Sequence, residues 1–119
     1  MIEAGNSSAG AMGQPDLRAL DLAVAATAKG AFGSTGQRCT ATSRAIVDRA
    51  VHDEFVARLA AAAAEVIPGN GLNPVSTMGP SVDQDQFDKV HEYLEIGPTE
   101  GLQTICGGGR ATDGDLAQG

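Results

Sequence analysis

The sequence predicts an α/β fold in which helices pack against a small part of a parallel β-sheet. Segments with helical periodicity alternate with two short apolar runs that are typical of buried strands. Their order along the chain is helix, strand, helix, helix, strand, which is the order of α/β units built on a parallel sheet. Because a parallel sheet needs several strands with both faces covered, two strands indicate part of a larger sheet.

The first predicted helix begins after Pro15 and Asp16 and ends near Gly33. Its apolar face carries Leu17, Leu20, Val24, Ala28 and Ala31. Residues 1–15 are rich in Gly, Ser, Ala and Asn without periodicity, which predicts a loop or a disordered N-terminus. We expect residues 16–119 to form one partial domain, since the chain has the length of a single domain.

Two strands and two further helices follow. The run Ala45-Ile46-Val47 predicts a short buried strand, and Thr104-Ile105-Cys106 predicts another. The second helix is predicted to stop at Pro68-Gly69, and the third helix, from about Val82, to be broken by Gly97-Pro98. Their apolar stripes consist of Val51, Phe55, Leu59, Ala62 and Val66 in the second helix and Phe87, Val90 and Leu94 in the third.

Composition and charge exclude several classes of function. The net charge of −7, without a basic stretch interleaved with aromatic residues, argues against nucleic-acid binding. The longest apolar run, residues 59–64, is far shorter than the ~20 residues that span a bilayer. The N-terminus lacks the basic and apolar regions of a secretory signal, so we expect a cytoplasmic protein without a membrane partner. Large apolar side chains are few, which predicts marginal stability in isolation.

The cysteines and histidines form no pattern of metal ligands. Cys39 and Cys106 lie far apart in sequence and in different contexts, so neither a metal site nor a disulfide framework is predicted. His52 is expected at a helix start and His91 on a helix face. No metal site is therefore predicted.

Cys39 stands in a glycine-rich loop directly after the first predicted helix. A nucleophilic cysteine must be accessible, in the thiolate form, and close to backbone N–H groups that stabilise an oxyanion. Gly33 and Gly36 are expected to permit backbone angles and close approach that side chains would forbid, and Arg38 favours the thiolate. From the residues alone two interpretations stay open, a nucleophile or a small, partly buried side chain.

The run Gly36-Gln37-Arg38-Cys39-Thr40-Ala41 resembles the catalytic cysteine loop of aldehyde dehydrogenases. The likeness extends from about residue 16 to the C-terminus. It includes the acidic helix start at 16–24, the strand at 43–47, the helix at 51–59 and Met78-Gly79-Pro80. The resemblance implies a partial catalytic domain of the aldehyde dehydrogenase fold, in which the family's cofactor domain and oligomerisation strands are absent.

The resemblance also implies roles for four residues. Cys39 matches the nucleophile, with its own backbone N–H as one oxyanion donor. Gln86 and Lys89 match a Gln-x-x-Lys that contacts the nicotinamide ribose of NAD or NADP, although without the resemblance both are interpreted as solvated polar positions. Glu3 is the candidate general base, and its alternative interpretation is an exposed acid at the terminus.

The implied function is oxidation of an aldehyde or semialdehyde to a carboxylic acid with NAD(P)⁺, through a cysteine thiohemiacetal and thioester. The cysteine loop and Val82-Asp83-Gln84 resemble members that act on 2-oxoglutarate semialdehyde (2,5-dioxovalerate). Members of the family form homo-oligomers, and we expect this chain to be inactive alone. The alternative is a non-enzymatic product, either a truncated gene product or an interaction fragment that docks on a full-length relative.

Overall fold

The computed structural model describes residues 16–118. The predictions for residues 1–15, including Glu3, lie outside the described residues. The chain divides into two compact units, Met1–Glu65 and Val66–Gly119. Three α-helices and two short 3₁₀ segments make up the regular structure of the described part.

Helix α1, Leu17–Phe32, confirms the first predicted helix. The Asp16 side chain accepts a hydrogen bond from the Arg18 N–H at 3.0 Å, which satisfies one of the free donors at the helix start. Lys29 lies in the last turn, where a cation interacts favourably with the helix dipole. The helix ends as predicted at Gly33.

Helix α2, His52–Ala64, confirms the second predicted helix. Asp53 and Glu54 lie in its first turn, where negative charge is favoured. The predicted apolar stripe ran on to Val66, but the helix ends before that residue. Pro68 lies beyond the helix end, in the following loop.

The core of the first unit lies between α1 and α2. Leu20, Val24 and Phe55 are its buried apolar residues, and Phe55 is 5% exposed. Partly buried side chains pack around them: Ala23, Val47, Val51, Leu59 and Ala62. This small core agrees with the scarcity of large apolar residues in the sequence.

An ion-pair cluster also links the two helices. Arg58 of α2 pairs with Asp21 of α1 and, at 2.7 Å, with Glu54 one turn earlier in α2. These carboxylates, above all Glu54, raise the pKa of the Arg58 guanidinium. Because all three side chains contact solvent, the cluster orients the helices and adds little to the stability of the unit.

The two predicted strands do not form among residues 16–118. Residues 45–47 have no strand assignment, with Ala45 and Ile46 exposed and Val47 packed on the core. Residues 104–106 are likewise exposed and unpaired. A short apolar run favours extended chain, but a strand also requires a neighbouring strand that accepts its hydrogen bonds. Within the described residues no such neighbour adjoins either segment.

A closed loop begins the second unit. Gly69 donates its N–H to the Met78 carbonyl at 2.9 Å, and Thr77 donates its N–H to the Ile67 carbonyl at 2.8 Å. These bonds join the two ends of the loop, and Pro68 and Met78 form an isolated parallel bridge. The segment that begins at the predicted end of the second helix is therefore a loop, ordered by its own backbone hydrogen bonds.

Helix α3, Gln84–Thr99, begins close to the predicted position but passes through the predicted break. Pro98 lies in the last turn, so its missing N–H removes one hydrogen bond only, at the end of the helix. Gly101 adopts φ +83° and donates to the Pro98 carbonyl at 3.1 Å, while the Leu102 N–H reaches the Gly97 carbonyl at 3.0 Å. This is a Schellman cap, which explains why the helix ends after Pro98 rather than before it.

A further contact lies near the end of the chain. Arg110 lies 4.8 Å from the centre of the Phe87 ring of α3 and donates to the Ala117 carbonyl at 3.2 Å. Ala117 belongs to a 3₁₀ segment, Gly114–Gln118. No helix in the described part of the chain has the length and apolar character needed to cross a membrane.

Candidate active site

Cys39 lies at the centre of a hydrogen-bonded turn. The Ala41 N–H donates to the Arg38 carbonyl at 2.9 Å, so Cys39 and Thr40 occupy the two central positions. The Cys39 side chain is an exposed, free thiol. An electrophile therefore has direct access to its sulfur.

The backbone around Cys39 offers a hydrogen-bond donor. No atom of residues 16–118 accepts the Cys39 N–H. A donor that is free at the position of the thiol can stabilise negative charge on an oxygen bound to the carbon that the sulfur attacks. The turn thus combines an accessible thiol with a backbone donor that no atom of residues 16–118 accepts.

Directly before this turn, three successive residues adopt left-handed backbone conformations: Ser34 (φ 53°), Thr35 (φ 58°) and Gly36 (φ 67°). The Gln37 N–H donates to the Ser34 carbonyl at 3.1 Å and closes this left-handed turn. A left-handed conformation costs a residue other than glycine about 1–3 kcal/mol, and β-branched Thr35 is the more unusual of the two.

The expected roles of the two loop glycines need a correction. Gly33 adopts φ −58° and ψ 133° with no atom within 4 Å of a Cβ, so a side chain is permitted there. Gly36 fits the expectation, because it has a positive φ and a Cβ would lie 3.1 Å from the Ala31 carbonyl oxygen. The positive φ angles lie instead at Gly36 and at Ser34 and Thr35. Serine and threonine have no preference for positive φ, so the sequence does not predict their conformation.

The cysteine loop, residues 33–42, returns to the helix from which it starts. The Thr42 N–H donates to the Gly30 carbonyl of α1 at 3.2 Å. The Thr42 side chain lies against the Gly30 Cα so closely that a Cβ at position 30 would overlap its Oγ1. The absence of a side chain at residue 30 therefore lets the loop close.

Positive charge concentrates near this loop. The segment from Lys29 to Arg49 contains four basic residues, Lys29, Arg38, Arg44 and Arg49, and one acidic residue, Asp48, whereas the whole chain carries −7. None of the four pairs with a carboxylate of residues 16–118. The stretch of sequence that contains Cys39 thus carries a net positive charge that no carboxylate of residues 16–118 neutralises.

Gln86 and Lys89 lie in the second unit, in the first turns of α3. The Gln86 N–H donates to the capping Asp83 side chain at 2.8 Å. Together with Val90, Tyr93 and Leu94, the two side chains line a shallow groove along the helix. An amide and an ammonium therefore share one surface, as their spacing of three residues predicts.

Lys89 has two neighbours that the sequence analysis missed. Its Nζ pairs with Glu92 Oε2 at 2.8 Å and lies 5.6 Å from the centre of the Tyr93 ring. The hydrogen bond from Lys89 to Glu92 raises the pKa of Lys89, so the side chain is a cation at neutral pH. Both contacts could have been predicted from the sequence, because Glu92 and Tyr93 follow Lys89 by three and four residues, the spacings at which side chains meet on a helix.

The other cysteine and the histidines have ordinary surroundings. Cys106 is an exposed, free thiol. His52 pairs with Asp53 at 2.9 Å at the start of α2, and the His91 ring lies 4.3 Å from that of Phe87 on α3. Among the described residues no group of three His, Cys, Asp or Glu side chains is placed to hold a metal ion.

The family follows from a comparison of the whole sequence. The profile described as "Aldehyde dehydrogenase family" matches residues 4–119. The chain belongs to the aldehyde dehydrogenase family. Aldehyde dehydrogenase 1A1 of Macaca fascicularis is 43% identical over 90 residues, which are 76% of this chain and 18% of that protein. "Aldehyde dehydrogenase, cytosolic 2" of Macroscelides proboscideus is 41% identical over 90 residues, 76% of this chain and 38% of that protein.

Solved structures of other proteins share the fold. The betaine aldehyde dehydrogenase of Staphylococcus aureus, in complex with NAD⁺, superposes with a TM-score of 0.80 at 30% identity. HpcC of Thermus thermophilus gives a TM-score of 0.80 at 32% identity. Each match covers 84% of this chain and 20% of the other chain. The chain thus spans about a fifth of the length of these two solved proteins.

These comparisons confirm part of the sequence analysis. The family prediction is confirmed, and the α/β class is consistent with the aldehyde dehydrogenase structures. Within residues 16–118 the β pairing is the isolated parallel bridge between Pro68 and Met78, which involves neither predicted strand, so the predicted parallel sheet is unconfirmed. The 2-oxoglutarate semialdehyde subgroup has no support among these aldehyde dehydrogenase relatives.

The closure of the cysteine loop yields a prediction for Gly30. Gly30→Ala should lower the free energy of unfolding by about 1 kcal/mol, because overpacking against Thr42 costs about 1–3 kcal/mol while alanine gains about 1 kcal/mol of helix propensity. Urea denaturation followed by circular dichroism measures this change.

Gly33→Ala is the matched control, since it adds the same methyl group to open space at an ordinary φ. Thr42→Ala combined with Gly30→Ala should restore the stability, because the overlapping Oγ1 is removed. Equal effects of Gly30→Ala and Gly33→Ala would contradict the close contact.

Proposed function

We propose that this chain carries the nucleophile of an NAD(P)⁺-dependent oxidation of an aldehyde to a carboxylic acid, and that Cys39 is that nucleophile. One observation carries the proposal. The Cys39 thiol is exposed at the centre of a turn, next to its own N–H, which donates to no atom of residues 16–118, in a member of the aldehyde dehydrogenase family. This arrangement is suited to attack on a carbonyl carbon.

The proposed reaction has two stages. The Cys39 thiolate attacks the aldehyde carbon, and the carbonyl oxygen becomes an oxyanion that the Cys39 N–H stabilises. The nicotinamide supplies the hydride acceptor when it is bound, so that the thiohemiacetal is oxidised to a thioester. Water then adds to the thioester carbon, the carboxylic acid leaves, and Cys39 regains its thiol.

The cofactor contact is assigned to Gln86 and Lys89. Their side chains supply an amide and a cationic donor on one surface of α3, which suits the hydroxyl groups of a ribose. Lys89 must exchange its partner Glu92 to make this contact. The NAD⁺ in the structurally similar betaine aldehyde dehydrogenase supports a nicotinamide cofactor, and both NAD and NADP remain candidates.

Several other assignments stay predictions. Glu3, outside the described residues, remains the candidate base that activates the hydrolytic water. A homo-oligomeric assembly rests on the family alone. The name of the relative "Aldehyde dehydrogenase, cytosolic 2" supports a cytoplasmic location.

The substrate is proposed to be an aldehyde that carries an anionic group, such as a semialdehyde. Four basic residues and a single acid lie between Lys29 and Arg49, in a chain that is otherwise strongly acidic. Arg38 adjoins the nucleophile and pairs with no carboxylate of residues 16–118. A local positive field raises the concentration of an anionic substrate near the thiol.

The first test is acylation of Cys39 by p-nitrophenyl acetate. The sulfur attacks the acetyl carbon, p-nitrophenolate leaves, and a thioester forms, so peptide mapping should find acetyl groups at Cys39 in excess over Cys106. Release of p-nitrophenolate should begin with a rapid phase that reports this acylation. Cys39→Ser should abolish the rapid phase, whereas Cys106→Ser should leave it unchanged. Equal acylation of both cysteines in the folded chain would contradict the role of Cys39.

Hydride transfer is expected to require more than these 119 residues. The match covers 18% of the length of aldehyde dehydrogenase 1A1, and misplacement of a hydride acceptor by about 1 Å can cost about 10²-fold in rate. Absorbance at the reduced nicotinamide band should therefore show no turnover of the chain by itself. Turnover that disappears in Cys39→Ser would overturn this expectation.

The charge argument predicts that Cys39 prefers an anionic reagent. The ratio of the iodoacetate rate to the neutral iodoacetamide rate should be higher at Cys39 than at Cys106, and added salt should lower it because ions screen the field. Arg38→Gln should lower the ratio at Cys39 and leave Cys106 unchanged. Arg18→Gln, at the start of α1 and far from Cys39 in sequence, is the matched control. A ratio that is insensitive to Arg38→Gln would contradict the proposed substrate charge.

A non-enzymatic interaction fragment is the second candidate. Large apolar side chains are exposed in both units, among them Ile46 at 76% and Leu72 at 93%. Where such residues adjoin one another, they form the kind of surface that packs against another protein. Folded chain whose Cys39 shows no excess acylation would favour this candidate over the enzymatic one.

A further inference from the structure

We infer that the left-handed turn formed by Ser34, Thr35 and Gly36 sets the reactivity of Cys39, and that Thr35 is its positioning residue. This inference rests on the proposed function, because it concerns how the nucleophile is held. Thr35 has no direct part in the reaction. It acts through its own left-handed backbone conformation, which the closure of the loop imposes.

Two hydrogen-bonded turns follow one another without an intervening residue. The first is closed by the bond from the Gln37 N–H to the Ser34 carbonyl, and the second by the bond from the Ala41 N–H to the Arg38 carbonyl. A single peptide bond, from Gln37 to Arg38, therefore joins the first turn to the turn that carries Cys39. Because that peptide bond is planar, the two turns rotate relative to each other only about ψ of Gln37 and φ of Arg38.

Both ends of this double turn are anchored to α1. At one end the Gly33 N–H donates to the Lys29 carbonyl. At the other end the Thr42 N–H donates to the Gly30 carbonyl at 3.2 Å. Because both ends are fixed, the chain between them must reverse within a few residues, and the left-handed angles at 34–36 produce this reversal.

Thr35 is the residue whose own preference disagrees most with its conformation. Left-handed angles suit glycine and, to a lesser extent, asparagine, whereas a β-branched side chain disfavours them. Thr35 is half-buried and Ser34 is exposed, so neighbouring atoms restrict the conformation of Thr35 more than that of Ser34. Strain of this kind persists only where the surroundings impose it, and it is frequent at functional sites.

The test compares Thr35→Gly with Thr35→Pro in the full chain. Both variants remove the same hydroxyl and methyl groups, but glycine accepts a φ near the observed +58° and proline holds φ near −65°. The readout is the rate of alkylation of Cys39 by iodoacetamide divided by that of Cys106. Circular dichroism at 222 nm reports whether the helices persist in each variant.

We expect a ratio above one in the wild type that Thr35→Gly retains. Thr35→Pro should lower the ratio to about one, because proline cannot adopt the left-handed φ of residue 35. Thr35→Asn, which tolerates the left-handed region, should also retain the wild-type ratio. A wild-type ratio in Thr35→Gly and Thr35→Asn would show that the backbone conformation of residue 35, and not its threonine side chain, determines the reactivity of Cys39.

The two proposals fail in different ways. A wild-type ratio of one would overturn the role of Cys39 and, with it, the present inference. A wild-type ratio above one that Thr35→Pro leaves unchanged would overturn the positioning role alone. If Thr35→Pro loses helical signal, the inference is decided by Thr35→Gly and Thr35→Asn, and a fall of the ratio in both variants would contradict it.

Discussion

The hydrogen bond from the Thr42 N–H to the Gly30 carbonyl joins the end of the cysteine loop to the helix from which the loop starts. Because residue 30 has no side chain, the Thr42 side chain can lie against the helix without overlap. With this closure in place, the residues between must reverse direction in a short distance. The left-handed angles of Ser34 and Thr35 and the exposed position of Cys39 follow from that requirement.

The helices could be predicted from the sequence because their signals are local. Asp16 and Gly33 mark the ends of α1, and Asp83 marks the start of α3. The predicted end of α3 was wrong, since the cost of a proline depends on its place in the helix, and Pro98 lies where only one hydrogen bond is lost. The Gly101 cap that completes this helix end was present in the sequence.

The strands and the loop conformation could not be predicted in the same way. A run such as Ala45-Ile46-Val47 favours extended chain, but its pairing depends on a neighbour that local sequence does not identify. Ser34 and Thr35 have no preference for left-handed angles, so their conformation is imposed by the closure of the loop. Gly30 offered a signal that was overlooked, because an isolated glycine inside a helical pattern often marks a close approach.

The small core and the strained, positively charged cysteine loop both lower the stability of the fold. Few apolar residues are buried, whereas the cysteine loop combines backbone strain with four basic residues between Lys29 and Arg49 that pair with no carboxylate of residues 16–118. Both features cost free energy of folding, and neither is offset by a large core. Local strain that lowers stability is typical of functional sites, which agrees with the proposed role of Cys39.

Hydrogen exchange of the Thr42 amide, followed by NMR, tests the closure of the cysteine loop most directly. The structure predicts that this amide exchanges as slowly as those in the middle of α1, because its N–H is held by the Gly30 carbonyl. The neighbouring Ser43 amide, which donates to no atom of residues 16–118, should exchange rapidly. Equally rapid exchange of Thr42 and Ser43 would show that the loop is not closed onto the helix, and the account of how Cys39 is held would be contradicted.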